Sequence, residues 1–215
     1  MKASASDLPA NLSAAKRLLI EKRLRGEKIT SSVPPLVPSP HAGAMLPLSY
    51  AQQRMWFIDQ LTPGRSSYNI PGGMRLEGPL NFDALRNSLN EIVRRHESLR
   101  TRFVSVKGEP RQVIDEEVRL DLETTDLSAT PENEREAEAK RLAREEARKP
   151  FDLEHGPLFR VKVLKLDEQE HVLLVTMHHI SSDGWSTDIL VREFAMLYGA
   201  LSSGAPSPLL ELPVQ

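Results

Sequence analysis

The 215-residue sequence contains no cysteine. That excludes disulfide bonds, a Cys-ligated zinc and any thiol acyl-enzyme, and it leaves the redox compartment open. There is little charge of either sign in excess: 28 basic and 30 acidic residues give a formal net charge of −2. The basic residues are interleaved with acids, so the patch that a nucleic-acid partner needs is absent. No apolar run approaches the length of a membrane span, and Met1-Lys2-Ala3-Ser4-Ala5-Ser6-Asp7 leads into no signal-peptide core. The expected address is the cytoplasm, with no membrane partner. Several catalytic signatures are also missing: no G-x-S-x-G elbow for a serine acyl-enzyme, no G-x-x-x-x-G-K-S/T loop for nucleotide phosphates, and no H-E-x-x-H for zinc.

What is present suits one modest soluble domain, with 40% hydrophobic and 27% charged residues. A charged helix is expected from about Asn11 to Arg25, closed by Gly26, and then a proline-rich extended tether over Ser31 to Pro47. The expected division is residues 1–45 as linker or docking helix plus tether, and residues 46–215 as the folded domain. From Leu46 onward helical and strand patterns alternate. Helices are expected at Ser49 to Leu61, Phe82 to Arg95 and from Pro131 to Arg148-Lys149. Strands are expected near Tyr68 to Leu76, Leu120 to Thr124 and Leu158 to Leu166, with a hairpin of Leu99 to Val106 and Arg111 to Ile114 turning at Gly108. The charge run of the third helix reads as a solvated face. The fold class is α/β (α+β), a mixed sheet with flanking helices.

The most informative stretch is His178-His179-Ile180-Ser181-Ser182-Asp183-Gly184. It follows the continuously apolar Val172-Leu173-Leu174-Val175, as expected of a strand covered on both faces, and precedes an amphipathic helix from Trp185 to Leu201. Neighbouring strand side chains point to opposite faces, so only one histidine can look into a given cavity. One is then catalytic and the other structural, and a satisfied core histidine is the plain alternative. A metal site is disfavoured, since ligands on opposite faces do not converge. Gly184 offers either a backbone geometry closed to other residues or close approach of a substrate to the main chain. Helix amides starting near Trp185 favour negative charge and disfavour a protonated imidazole.

Together with Met177 before it and Trp185-Ser186 after it, this stretch resembles the HHxxxDG signature of nonribosomal peptide synthetase condensation domains. Two further signatures of that family stand in the expected order. Ser49-Tyr50-Ala51-Gln52-Gln53-Arg54-Met55-Trp56 resembles its opening SxAQxR(L/M)W motif, and Arg95-His96-Glu97-Ser98-Leu99-Arg100-Thr101-Arg102-Phe103 its RHExLRTxF motif. The resemblance runs from about Leu46 to Gln215 and corresponds to the first of two chloramphenicol-acetyltransferase-like lobes, which in the family form a V around a tunnel. The second lobe is expected to be absent, and with it half of the active-site wall. Met-His-His and Ser-Tyr-Ala-Gln look most like the subtype joining an L-donor to an L-acceptor. The intact histidine pair argues against heterocyclisation relatives; epimerisation relatives share HHxxxDG.

The resemblance implies that an acceptor amine attacks a donor thioester, both held on phosphopantetheine arms of donor and acceptor peptidyl carrier proteins, alongside other synthetase modules. It implies no cofactor on this chain; Gly72-Gly73 is followed by Met74, so the chain has no carrier GGxS site of its own. A neutral imidazole is matched to an amine of pKa about 8. His179 is therefore expected as base or positioner of the amine, with Gly184 at the catalytic site through its amide or its space. His178 is expected to be structural, Asp183 to pair with Arg95, Arg54 and Arg100 to be scaffold, and Trp56 and Trp185 to be packing. A non-catalytic half-domain or carrier-docking module is the rival reading, and a CoA-dependent acyltransferase a distant third. An apolar face left by the missing lobe makes a homodimer a further expectation.

Overall fold

The structure is a computed structural model that describes residues 45–215. The expected helix at Asn11 to Arg25 and most of the proline-rich tether lie outside the described residues. The tether's last two residues, Leu46–Pro47, form a short strand, β1, instead of an open linker. The elements that follow are α1 (Tyr50–Leu61), β2 (Asn69–Glu77), α2 (Phe82–Arg95), a 3-10 turn (Glu97–Arg100), β3 (Thr101–Val106), β4 (Glu109–Ile114), β5 (Glu123–Asp126), α3 (Glu132–Arg148), β6 (Phe159–Lys165), β7 (Glu170–His178) and α4 (Gly184–Ser202).

Two sheets result. One has the order β1-β4-β3, all antiparallel. Its hairpin turns through Lys107 and Gly108, both at positive φ, the conformation a tight two-residue turn requires. The other is mixed, in the order β2-β7-β6-β5, with β5 parallel to β6 and the rest antiparallel. Two expected strands shift. Leu99 and Arg100 belong to the 3-10 turn, and the β5 strand starts at Glu123, three residues beyond Leu120. Leu120 is instead a core residue whose amide donates to Asn90 Oδ1.

The pleat of β7 explains why Val172 to Val175 is apolar throughout. Leu173, Val175 and Met177 face a core built with Leu85, Leu89, Ile92 and Val93 of α2 and Leu190, Phe194 and Leu197 of α4. Val172 and Leu174 face the opposite side, against Ala139, Leu142 and Ala143 of α3. The strand is thus covered on both faces by helices. Each CH₂ so buried contributes about 0.8 kcal/mol. The outer face of α3 carries a ladder of ion pairs such as Lys140 to Glu136 and Arg141 to Glu138, a solvated surface worth little individually. No helix among the described residues is long and apolar enough to cross a membrane.

Candidate active site at the carboxyl end of β7

β7 ends at His178, and Asp183 opens α4, so residues 179–182 form the short turn that joins them. His178 is 3% exposed while His179 is exposed, as alternation requires. His178 lies between the rings of Tyr68 and Phe151, each with its centroid 6.0 Å away. Its Nδ1 accepts from the Ile180 amide at 3.2 Å, so that nitrogen is unprotonated. Burial, then the neighbouring His179, pushes its pKa down to about 4. Its carbonyl accepts from the Ser181 amide and from the Ser181 and Ser182 hydroxyls, all at 3.1 Å. His178 is therefore a neutral pin for the turn.

His179 is held from two sides. Its amide donates to the Tyr68 carbonyl at 2.8 Å, and its Nδ1 lies 2.8 Å from the Ser182 carbonyl. A carbonyl only accepts, so Nδ1 carries a proton, and in the neutral ring Nε2 is the nitrogen with the lone pair. The ring lines an open cavity of about 550 Å³ together with Ser49, Gln52, Arg54, Tyr68 and Asp183. The arrangement places an imidazole with a free acceptor nitrogen in a cleft large enough for a small-molecule substrate.

Asp183 caps α4. Its Oδ1 accepts from the Ser186 amide and the Ser186 hydroxyl, both at 2.8 Å, and the Ser186 hydroxyl accepts from the Asp183 amide at 3.3 Å, a reciprocal capping box. The Ser186 amide and then its hydroxyl hold the Asp183 carboxyl below the usual range. The expected Asp183–Arg95 pair does not form. Arg95, 7% exposed, instead donates through Nε to both Glu193 carboxylate oxygens at 3.2 Å and through Nη1 to the Leu210 carbonyl. Glu193 also meets His96 Nε2 at 2.8 Å. The reason is reach: Arg95 ends α2 beside the middle of α4, nine residues beyond Gly184, while Asp183 turns to the amides of its own helix.

Gly184 is the first residue of α4, its φ lies outside the left-handed region, and a Cβ there would meet nothing within 4 Å. Special backbone geometry is thus not what the position uses. What it offers is open space, together with an amide among the first four of a helix, which lack intrahelical acceptors. Arg100 is scaffold: it donates to the Val93 carbonyl at 3.2 Å and to the Asp115 carbonyl, tying α2 to the end of β4. Arg54 is exposed on the cavity rim rather than buried in scaffold. Trp56 packs on the cluster of Leu48, Phe103, Phe151 and Ile180, whereas Trp185 is 77% exposed, so the packing expectation fails for Trp185.

Three residues beyond the expected set position the site. Gln52 closes a capping box with Ser49 and donates through Nε2 to the Ile180 carbonyl at 3.3 Å, linking α1 to the histidine turn. Ser49 and Gln52 stand at capping-box spacing, which is a readable signal. Tyr68 and Glu193 carried none: one acts through its carbonyl and ring, the other from mid-helix. Among the described residues no group of His, Cys, Asp and Glu is placed to hold a metal ion.

Comparison with known proteins bears on the family and the fold. The family model described as Condensation domain matches residues 43–214. A linear gramicidin synthase of Brevibacillus parabrevis is 51% identical over 170 residues, covering 79% of this chain and 3% of that protein. Phosphinothricin tripeptide synthetase PhsC of Streptomyces viridochromogenes is 41% identical over 206 residues, covering 96% of this chain and 19% of that protein. Among solved structures, the starter condensation domain of rhizomide synthetase RzmA superposes with a TM-score of 0.73 at 26% identity, over 79% of this chain and 41% of that one. The first condensation domain of the CDA synthetase gives 0.68 at 25% identity, over 77% and 42%. The chain thus spans a small part of these synthetases and about two fifths of the solved condensation-domain chains.

Proposed function

The chain belongs to the condensation-domain family of nonribosomal peptide synthetases, and from that premise we propose that it supplies the histidine-bearing lobe for peptide-bond formation between two carrier-bound thioesters. The observation that carries this reading is His179, exposed in a cavity with Nδ1 tied to a carbonyl and Nε2 free. In the proposed step the acceptor amine loses a proton to Nε2 and its nitrogen attacks the donor thioester carbonyl. The C–N bond forms, the C–S bond breaks, and the donor's phosphopantetheine thiolate leaves and takes up the proton. Gly184 leaves room for the substrate beside the first amides of α4, whose positive end favours the developing oxyanion.

The partners in this reading are donor and acceptor peptidyl carrier proteins, which bring phosphopantetheine; the chain needs no cofactor of its own. The cytoplasm, where such modules meet, is the proposed address. The L-donor, L-acceptor subtype rests on Met177-His178-His179 and Ser49-Tyr50-Ala51-Gln52. The test is intact-mass spectrometry of an acceptor carrier loaded with an aminoacyl group, after incubation with donor-loaded carrier and the chain supplemented with the second half of a condensation domain. Acceptor mass gain that disappears with His179→Ala supports the proposal. Carrier binding without any mass gain, with a cooperative melt showing the protein folded, favours a docking module.

A further inference from the structure

Both rings that flank His178 are seated from one place, the carboxyl end of α3. Tyr68 precedes Asn69, the first residue of β2, and Phe151 lies just past Lys149, which caps α3. The last carbonyls of a helix lack amide partners and need outside donors. Here two side chains from different strands supply them. Asn69 Nδ2 donates to the Ala147 carbonyl at 2.8 Å and to the Lys149 carbonyl at 2.9 Å, using both of its hydrogens. Arg160, near the start of β6, donates through Nη2 to the Lys149 carbonyl at 2.7 Å and the Glu146 carbonyl at 3.3 Å, and through Nη1 to the Pro150 carbonyl at 3.2 Å. Its Nε holds Glu146 Oε1 at 2.7 Å, in a pair mostly removed from water. A planar fork of donors lets one side chain make all these bonds, and its positive charge suits a helix carboxyl end. The Lys149 carbonyl accepts from both residues, so it ties β2, β6 and α3 together.

This clamp leads to the histidines. The guanidinium carbon of Arg160 lies 3.7 Å from the centroid of the Phe151 ring, and that ring meets His178 at 85° with 6.0 Å between centroids. Asn69 stands opposite His178 in the β2–β7 ladder, on the same face of the sheet. Its Oδ1 is buried without a hydrogen-bond partner among the described residues, so this amide costs stability at one atom while the other holds α3. Tyr68, one residue earlier, accepts the His179 amide. A second tie between β2 and α3, Arg75 with Glu136 at 2.6 Å, is exposed and stands opposite Val172 rather than His178.

We infer that Asn69 and Arg160 are positioning residues for the histidine pair: by clamping the carboxyl end of α3 they seat Phe151 and Tyr68, which fix the His178 ring and the His179 turn. Neither residue lines the His179 cavity, so both act through others. The clamp is a property of the fold, and only its value to catalysis rests on the proposed condensation reading. In that reading it holds the His179 ring in one orientation toward the acceptor amine, where a misplacement of about 1 Å costs about 10²-fold in rate.

The test compares Asn69→Ala, Arg160→Lys and Arg75→Ala in the full 215-residue chain. Asn69→Ala removes a neutral amide, and Arg160→Lys keeps a charge beside Glu146 while losing the fork and its flat face, so both fold, which a melt verifies. Amide hydrogen exchange and NMR titration of the His178 ring are the readouts. Among the described residues burial, then His179, sets the His178 pKa, so that pKa reports how well the two rings seal it. In both clamp variants the His179 and Ile180 amides are expected to exchange at least about tenfold faster while those of α2 keep their rates. The His178 pKa is expected to rise from about 4 to about 5 or higher. Arg75→Ala is expected to change neither. Unchanged exchange and pKa in the folded clamp variants overturn the inference. Faster exchange throughout the chain, an equal response from Arg75→Ala, or unfolding of both clamp variants also overturns it, since each means general loosening instead of positioning. In the acylation assay the clamp variants are expected to lower kcat at least about tenfold with KM little changed, and an unchanged kcat overturns the catalytic half. The exchange and ring changes without acceptor mass gain in the natural chain leave the positioning standing and remove the condensation reading instead.

Discussion

The buried side and the exposed rim of the site each carry a histidine and a charged residue, put to opposite ends. His178 and Arg95 are interior: the first is set between two aromatic rings at steep interplanar angles, the second is locked to Glu193 and the Leu210 carbonyl. His179 and Asp183 are on the rim: one offers a free ring nitrogen to the cavity, the other caps α4. Adjacent histidines thus differ by one step of the pleat, and that step separates a group that holds the turn from one that faces the open cavity. Chemistry at this site is set by which side of the backbone a side chain leaves, not by its identity.

The largest effect that sharpens this contrast belongs to His179. His179→Ala is expected to lower the rate of acceptor acylation about 10²–10⁴-fold while leaving the melting temperature nearly unchanged, because the exposed ring buries little and general-base assistance is of that size. Mass-spectrometric rates and a thermal melt on the same protein check both halves. A large loss of stability in His179→Ala breaks the comparison.

Next is the buried arginine. Arg95→Ala removes one member of a buried ion pair and is expected to cost up to about 3–5 kcal/mol, since Glu193 is left with only the His96 ring beside it. A double-mutant cycle of Arg95 with Glu193 is expected to show coupling of about 0.5–3 kcal/mol, and one of Arg95 with Asp183 none beyond error. Urea denaturation measures both. Coupling between Arg95 and Asp183 restores the pair expected from sequence.

Much of this was legible in the chain. The phase of Phe82, Leu85, Leu89, Ile92 and Val93 marks α2 with both its ends, and the unbroken apolar run before His178 marks a strand covered on both faces. That only one of His178 and His179 faces the cavity follows from alternation; which of the two does so was an expectation from the family resemblance. Pairing was not legible, because an arginine's partner depends on where two helices cross. Arg95 meets Glu193 only because α2 and α4 lie together over β7, a fact of tertiary packing that no local spacing encodes. Trp185 misled for a related reason: a large apolar residue reads as core, yet it falls at the exposed start of α4.

His178 gives an effect of intermediate size that depends on pH. Its folded pKa of about 4 lies below the ordinary 6.5, so the unfolded chain takes up the proton first as pH falls. The stability this neutral ring supports is fully present above pH 6.5, declines as pH drops, and is lost once pH passes below 4, by about 3 kcal/mol in all. Denaturation midpoints at pH 7.5 and 4.5 are expected to differ more for the natural chain than for His178→Gln, which cannot take the proton. His171, also pulled down by burial, remains in both proteins and cancels in that difference. Equal pH dependence in the two proteins places His178 outside the buried class.

The smallest effect is expected at Asp183, and its smallness is the point. Asn caps a helix about as well as Asp, and the Ser186 amide and hydroxyl need only an acceptor oxygen at Oδ1. Asp183→Asn is therefore expected to keep both the melting temperature and the acylation rate close to those of the natural chain, whereas Asp183→Ala frays the start of α4 beside Gly184 and lowers both. Paired rates and melts for the two variants read this directly. If Asp183→Asn fails as badly as Asp183→Ala, the negative charge itself matters, and the rim of the turn holds a charged participant in addition to His179.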